Sequence, residues 1–104
     1  MEGESNHTLE HVLAILRENA DELRGKGVRH AAVFGFVARG EAGPDSDVDI
    51  MVDVDHDVVE SLLDHASIAG LIEEVLGREI DIAMRDRLKD HVKPSALREA
   101  VDAF

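Results

Sequence analysis

From Asp47 to Val54 the sequence alternates, with Val48, Ile50, Val52 and Val54 on one parity and Asp47, Asp49, Met51 and Asp53 on the other. Few patterns restrict a fold so tightly. A period of two belongs to a β-strand with one face buried, and successive side chains on a strand point to opposite faces, so Asp47 and Asp49 project from the same face as neighbours. Adjacent carboxylates repel unless something cationic lies between them. Hard oxygen donors favour Mg²⁺ or Mn²⁺, bound through one or two carboxylates plus a substrate's phosphates. The pair is a candidate metal site, and the alternative is a solvated acidic strand face.

The flanking segments extend this pattern. Val28 to Phe34 is a second strand-like run with Gly35 directly after it, and Ala38 and Arg39 suit a short helix. Gly35 and Phe36 therefore sit where a strand turns into a helix N-terminus, a place that offers free backbone N–H groups and a favourable dipole to phosphate oxygens. A glycine there lets the backbone approach a ligand closely. An ordinary strand-to-helix turn has the same signature. Further on, Glu79 to Met84 alternates again, with Ile80, Ile82 and Met84 facing one way and Asp81 and Ala83 the other. If that strand lies beside the Asp47/Asp49 strand, three carboxylates converge, enough to bind two metal ions and orient a hydroxyl nucleophile.

Other motifs fail at identifiable positions. Asp45, Asp47 and Asp49 imitate the start of an EF-hand loop, but Ile50 stands at its sixth position and His56 at its twelfth, where glycine and glutamate are needed. Gly35 to Gly40 has P-loop glycine spacing, yet Glu41 and Ala42 replace the lysine and hydroxyl residue that contact phosphate and Mg²⁺. His7 and His11 lie four apart on a predicted helix, where a solvated face explains them without a metal.

With 104 residues and 44% hydrophobic content, the chain can build one core. Its three aromatics are all phenylalanine and its formal net charge is -12. Stacking platforms and phosphate attraction are thus both scarce, which argues against direct nucleic-acid binding. The absence of cysteine removes a disulfide framework. Met1-Glu2-Gly3-Glu4 lacks the basic and apolar regions of a signal peptide, and no apolar run approaches the roughly 20 residues of a membrane span. The expected location is cytoplasmic.

Leu9, Val12, Leu13, Leu16, Ala20 and Leu23 recur at helical spacing, with Thr8 as a candidate N-cap and Gly25 and Gly27 at the exit. Leu62, Leu63, Ala66, Ala69, Ile72, Val75 and Leu76 predict a helix, or two broken near residues 67–70, ending at Gly77. Pro44 marks a loop, and Pro94 opens the last helix at its first position. The predicted order is helix, strand, short helix, acidic strand, helix, strand, C-terminal helix. That is a single α+β domain over residues 1–104 with a small mixed sheet packed with helices. Arg85, Arg87, Lys89, Lys93 and Arg98 follow the Asp81 strand and either reach a triphosphate or an acidic partner, or form a solvated helix surface with the interspersed Asp86, Asp90 and Glu99.

Taken together, Gly35-Phe36, Ala38-Arg39-Gly40, Ser46-Asp47, Asp49 and Asp81 make the chain resemble the DNA polymerase beta type nucleotidyltransferase superfamily, and within it the minimal nucleotidyltransferase antitoxins. The resemblance spans nearly the whole chain. It implies that Gly35, Phe36, Arg39 and Ser46 contact the nucleotide, that Asp47 and Asp49 bind Mg²⁺ (or Mn²⁺), and that Asp81 binds the catalytic metal or helps deprotonate the acceptor hydroxyl. Phe36 departs from the family pattern, which has serine there. Either its ring faces inward and its backbone N–H still serves phosphate, or transfer is weakened and a binding protein remains.

Larger relatives carry a helical domain that selects the acceptor, for which this chain has no residues to spare. The resemblance therefore implies transfer of a nucleoside monophosphate, AMP from ATP, to a hydroxyl of a cognate HEPN-type ribonuclease toxin. The two chains would form a hetero-oligomer and pyrophosphate would be released. A catalytically weak or inactive antitoxin that neutralises the toxin by binding alone is the second reading, and a generic acidic interaction domain is the third.

Overall fold

The structure, a computed structural model, describes residues 9–41 and 47–104, with Phe36 described by its backbone alone. The sequence readings at His7, Thr8, Pro44, Asp45 and Ser46 lie outside the described residues.

Two helices, α1 (Leu9–Glu18) and α2 (Ala20–Gly25), replace the single helix predicted from Leu9 to Leu23. The break falls at Asn19, which leaves helical geometry at φ -108 and ψ 14. Its side-chain amide donates to the Ile15 carbonyl at 2.8 Å, and local bonding of this kind competes with the helical ladder. The apolar stripe nevertheless continues across the break, burying Val12, Leu13, Leu16, Ala20 and Leu23.

Strand β1 (Val28–Phe34) runs as its sequence predicts, and the short helix α3 (Gly35–Arg39) follows without an intervening residue. The acidic strand β2 (Val48–Val54) starts one residue later than its alternation suggests, which leaves Asp47 just before it. Helix α4 (Leu62–Leu76) is unbroken. It starts at a Ser61–Asp64 capping box and ends at Gly77, whose left-handed φ of 68 is the conformation glycine adopts at no steric cost. After β3 (Ile80–Met84) come a 3₁₀ turn (Arg85–Arg87), α5 (Lys93–Glu99) and β4 (Val101–Asp102). Pro94 is thus the second residue of α5 rather than its first. Two-residue β4 has no periodicity to reveal it and was not foreseen.

The four strands form a mixed sheet in the order β3-β2-β1-β4, with β2 and β3 parallel and the other pairs antiparallel. The parallel connection is made by α4, as a parallel pair requires a crossover. A register shift between Val28 and His30 inserts an extra residue in β1. Beyond it Ala31 and Val33 return to the core, beside Val48, Ile50 and Val52 of β2 and Val12, Leu16, Leu23, Ile68 and Ile72 of the helices. Ala32, Met51 and Ala96 are buried outside this cluster, and α5 packs against α3 and β1. The chain end is fastened too: Arg17 Nε donates to the Ala103 carbonyl at 2.7 Å, and the Arg24 guanidinium lies 4.9 Å from the Phe104 ring centroid. No helix among the described residues is long and apolar enough to cross a membrane.

Candidate functional site

The parallel pairing of β2 with β3 sets Asp49 directly opposite Asp81. Neighbouring strands lie roughly 4.8 Å apart, so two carboxylates at one register position and on one sheet face are close neighbours. Asp49 is also the register partner of Phe34 on its other side, at the point where β1 turns into α3. Gly35 makes that turn with φ 72, in the left-handed region, and a Cβ placed on it would run into the Asp49 carboxylate. Both the backbone conformation and the close approach therefore require glycine here.

The electrostatics agree with this geometry. The Asp49 pKa is raised, first by burial, then by the Asp81 carboxylate and by Asp47, while Arg39 acts in the opposite direction. All three predicted carboxylates therefore sense one another at Asp49, which is half-buried while Asp47 and Asp81 are exposed. Among the described residues no three histidine, aspartate or glutamate side chains are already drawn to metal-ligating separation. The donor chemistry nonetheless fits a hard divalent cation: the groups are carboxylates, Asp49 is partly desolvated, and Asp81 and Asp47 raise its pKa by a repulsion that a cation relieves.

Arg39, at the end of α3, donates from Nε to Glu41 at 3.0 Å and from Nη1 to Glu99 at 2.8 Å. Glu99 lies on α5, so the C-terminal helix contributes a side chain to the edge of the site. Sequence reasoning missed it, because a partner 60 residues away leaves no trace in local spacing. Arg85, the first of the basic residues after β3, goes elsewhere. Arg85 Nε lies 3.3 Å from Asp53 and Arg85 Nη2 lies 3.7 Å from Asp102, lining a cavity of about 190 Å³ with His30 and Phe104. Asp53 is on β2 beyond Met51, so this cluster shares the sheet face of Asp49 but lies toward the far end of the strand.

Comparison with known proteins places this geometry in context. The family described as nucleotidyltransferase domain matches residues 13–103. The chain is 42% identical over 95 residues to the protein adenylyltransferase MntA of Thermococcus cleftensis, covering 90% of this chain and 94% of that one. A solved chain assigned as a minimal nucleotidyltransferase superposes with a TM-score of 0.67 at 35% identity, covering 86% of this chain and 93% of the other. A chain from a crystal structure of a toxin–antitoxin with AMP-PNP gives the same TM-score, 0.67, at 14% identity over 85% and 72% of the two chains. That last likeness concerns the fold alone.

Proposed function

The chain belongs to the nucleotidyltransferase domain family, and from that premise we propose that it transfers AMP from ATP to a hydroxyl of a cognate HEPN-type ribonuclease toxin, acting as the antitoxin of the pair. The observation that carries this reading is the pairing of Asp49 with Asp81 against the backbone of Gly35. A relative named protein adenylyltransferase, similar over nearly its full length, supports the reaction class. The superposition on a toxin–antitoxin chain is consistent with the setting.

In this proposal Asp47, Asp49 and Asp81 hold Mg²⁺ or Mn²⁺, which would supply charge neutralisation to the polyphosphate and lower the pKa of the acceptor hydroxyl. The protein's own groups do the rest. Backbone N–H groups at Gly35 and Phe36, the Ser46 side chain and the Arg39 guanidinium orient the triphosphate, and glycine at 35 keeps that approach open. Asp81, the exposed member of the strand pair, accepts the hydroxyl proton. The acceptor oxygen bonds to the α-phosphorus, the bond to the pyrophosphate leaving group breaks, and AMP remains on the partner.

Phe36 motivates the second reading, an antitoxin that occludes its toxin without modifying it. Loss of one preorganised donor costs about 10²-fold in rate, so Phe36→Ser is expected to raise transfer. The test uses radiolabelled ATP, Mg²⁺ and the co-encoded partner with the wild type, Phe36→Ser and Asp49→Asn. Label on the partner with the wild type and none with Asp49→Asn is the expected result. If neither wild type nor Phe36→Ser transfers label while Asp49→Asn still neutralises the toxin fully, the enzyme reading falls and occlusion stands.

A further inference from the structure

Helix α4 opens on two leucines that the fold does not use: Leu62 is 86% exposed and Leu63 82%, with Val58 just upstream at 49%. The core is served instead by Ile68 and Ile72 on the opposite side of the helix. Helical spacing puts Ala66, Ser67 and Gly70 on the outer side with the leucines, all exposed and none charged. A Cβ on Gly70 would meet nothing within 4 Å, so a second helix can approach closely there. Apolar contact area of this kind is rarely left on a small domain unless something covers it.

The rim says what covers it. Exposed Asp57 and Glu60 border the leucine end, and exposed Glu73 and Glu74 border the other. Lys26 brings a cation to this face, its Nζ donating to Ser67 Oγ at 2.8 Å. A second copy of the chain would bring the same acids against themselves and add a charge of -12 to a charge of -12. We propose that this face docks an amphipathic helix of a basic partner protein, with aliphatic side chains on Leu62, Leu63 and Ala66 and lysines or arginines meeting the acids at either end.

The face lies away from the chemistry. Helix α4 follows the C-terminal end of β2, whereas Asp49 is the second residue of that strand. From Asp49 to Val54 the strand runs roughly 16 Å at 3.3 Å per residue, which sets the leucine end apart from Asp49. The Glu73 end comes back to Ile80, but the helix packs through Ile68 and Ile72 on the Ile50 face of the sheet, opposite Asp49, so a partner centred on the leucines leaves the carboxylates uncovered. Where that partner is the acceptor of the transfer reaction, the inference rests on the function proposed above.

Titration calorimetry with the purified co-encoded partner tests it, using the wild type, the Leu62→Ser/Leu63→Ser double variant and Ala66→Arg. Label transfer from ATP is measured in parallel. The double serine variant should bind ~10²-fold more weakly or worse, the order expected when two large aliphatic side chains leave a buried interface. Ala66→Arg should weaken binding as well, and rising salt should weaken the wild-type complex. Melting temperatures should stay within a degree or two of wild type, because the fold does not bury these positions. Binding with the leucine effect but without transfer would support this face and overturn the enzyme reading. Equal binding by all three proteins, no binding by the wild type, or a wild-type dimer by light scattering that the leucine variant abolishes would each overturn the proposal.

Discussion

Gly35→Ala isolates the contact on which the carboxylate arrangement depends. Gly35 and Gly40 share nearly the same left-handed backbone, φ 72 and φ 74, but a Cβ on Gly40 meets nothing within 4 Å whereas one on Gly35 strikes the Asp49 carboxylate. Alanine in this conformation costs roughly 1–2 kcal/mol, partly offset by a less flexible unfolded chain, so Gly40→Ala should destabilise by about 1 kcal/mol. At Gly35 the new methyl must also displace a half-buried side chain, which adds about 2 kcal/mol as overpacking of a filled site. The total of about 3 kcal/mol corresponds to a melting temperature lower by roughly 12–24 °C, against roughly 4–8 °C for Gly40→Ala. In an Asp49→Ala background the Oδ2 and Cγ contacts vanish and only the Asp49 Cβ, at 3.3 Å, remains. The double-mutant cycle should therefore show about 1–2 kcal/mol of coupling. Circular-dichroism melts and urea titrations of the four proteins measure this, with Gly40→Ala as the backbone control. Equal losses for Gly35→Ala and Gly40→Ala, or no coupling to Asp49, would refute the claim that Gly35 abuts the carboxylate.

The Asp49 pKa is raised by burial, Asp81 and Asp47, so the native state holds this proton more tightly than the unfolded chain. Its contribution to stability is then lost as pH rises from the ordinary carboxylate value through the raised one; Asp49→Asn should melt higher than wild type at pH 7, with the gap closing in melts taken toward pH 3. Millimolar Mg²⁺ or Mn²⁺ should raise the wild-type melting temperature over EDTA by binding only the native state, and Asp49→Asn should remove that response; identical curves for wild type would end the metal assignment. Ser61→Ala deletes the acceptor for the Asp64 N–H at 3.2 Å and should cost about 1 kcal/mol in urea unfolding, while leaving nucleotide transfer intact.

Much of the local structure was legible in the chain because it is decided locally. Strand β1 follows from its strand-like run of residues, the core side of β2 from side-chain parity, and the end of α4 from the glycine that caps it. The resemblance carried by Gly35, Arg39, Asp47, Asp49 and Asp81 led to the family for a related reason: metal and phosphate chemistry demands particular residues at particular spacings. What spacing could not supply was distance across the fold. Only the parallel register of β2 and β3 sets Asp49 opposite Asp81, since a shift of one residue would have turned them to opposite faces. Asn19 interrupts a helix whose apolar period is continuous, because its backbone leaves helical geometry without altering that period. The leucines that open α4 read as core residues by composition, yet the helix turns Ile68 and Ile72 to the core and leaves the leucines in solvent. Glu99 reached Arg39 from the far end of the chain. A sequence states which side chains are available and on which face of an element each lies; which faces meet is decided when the elements compete for one core.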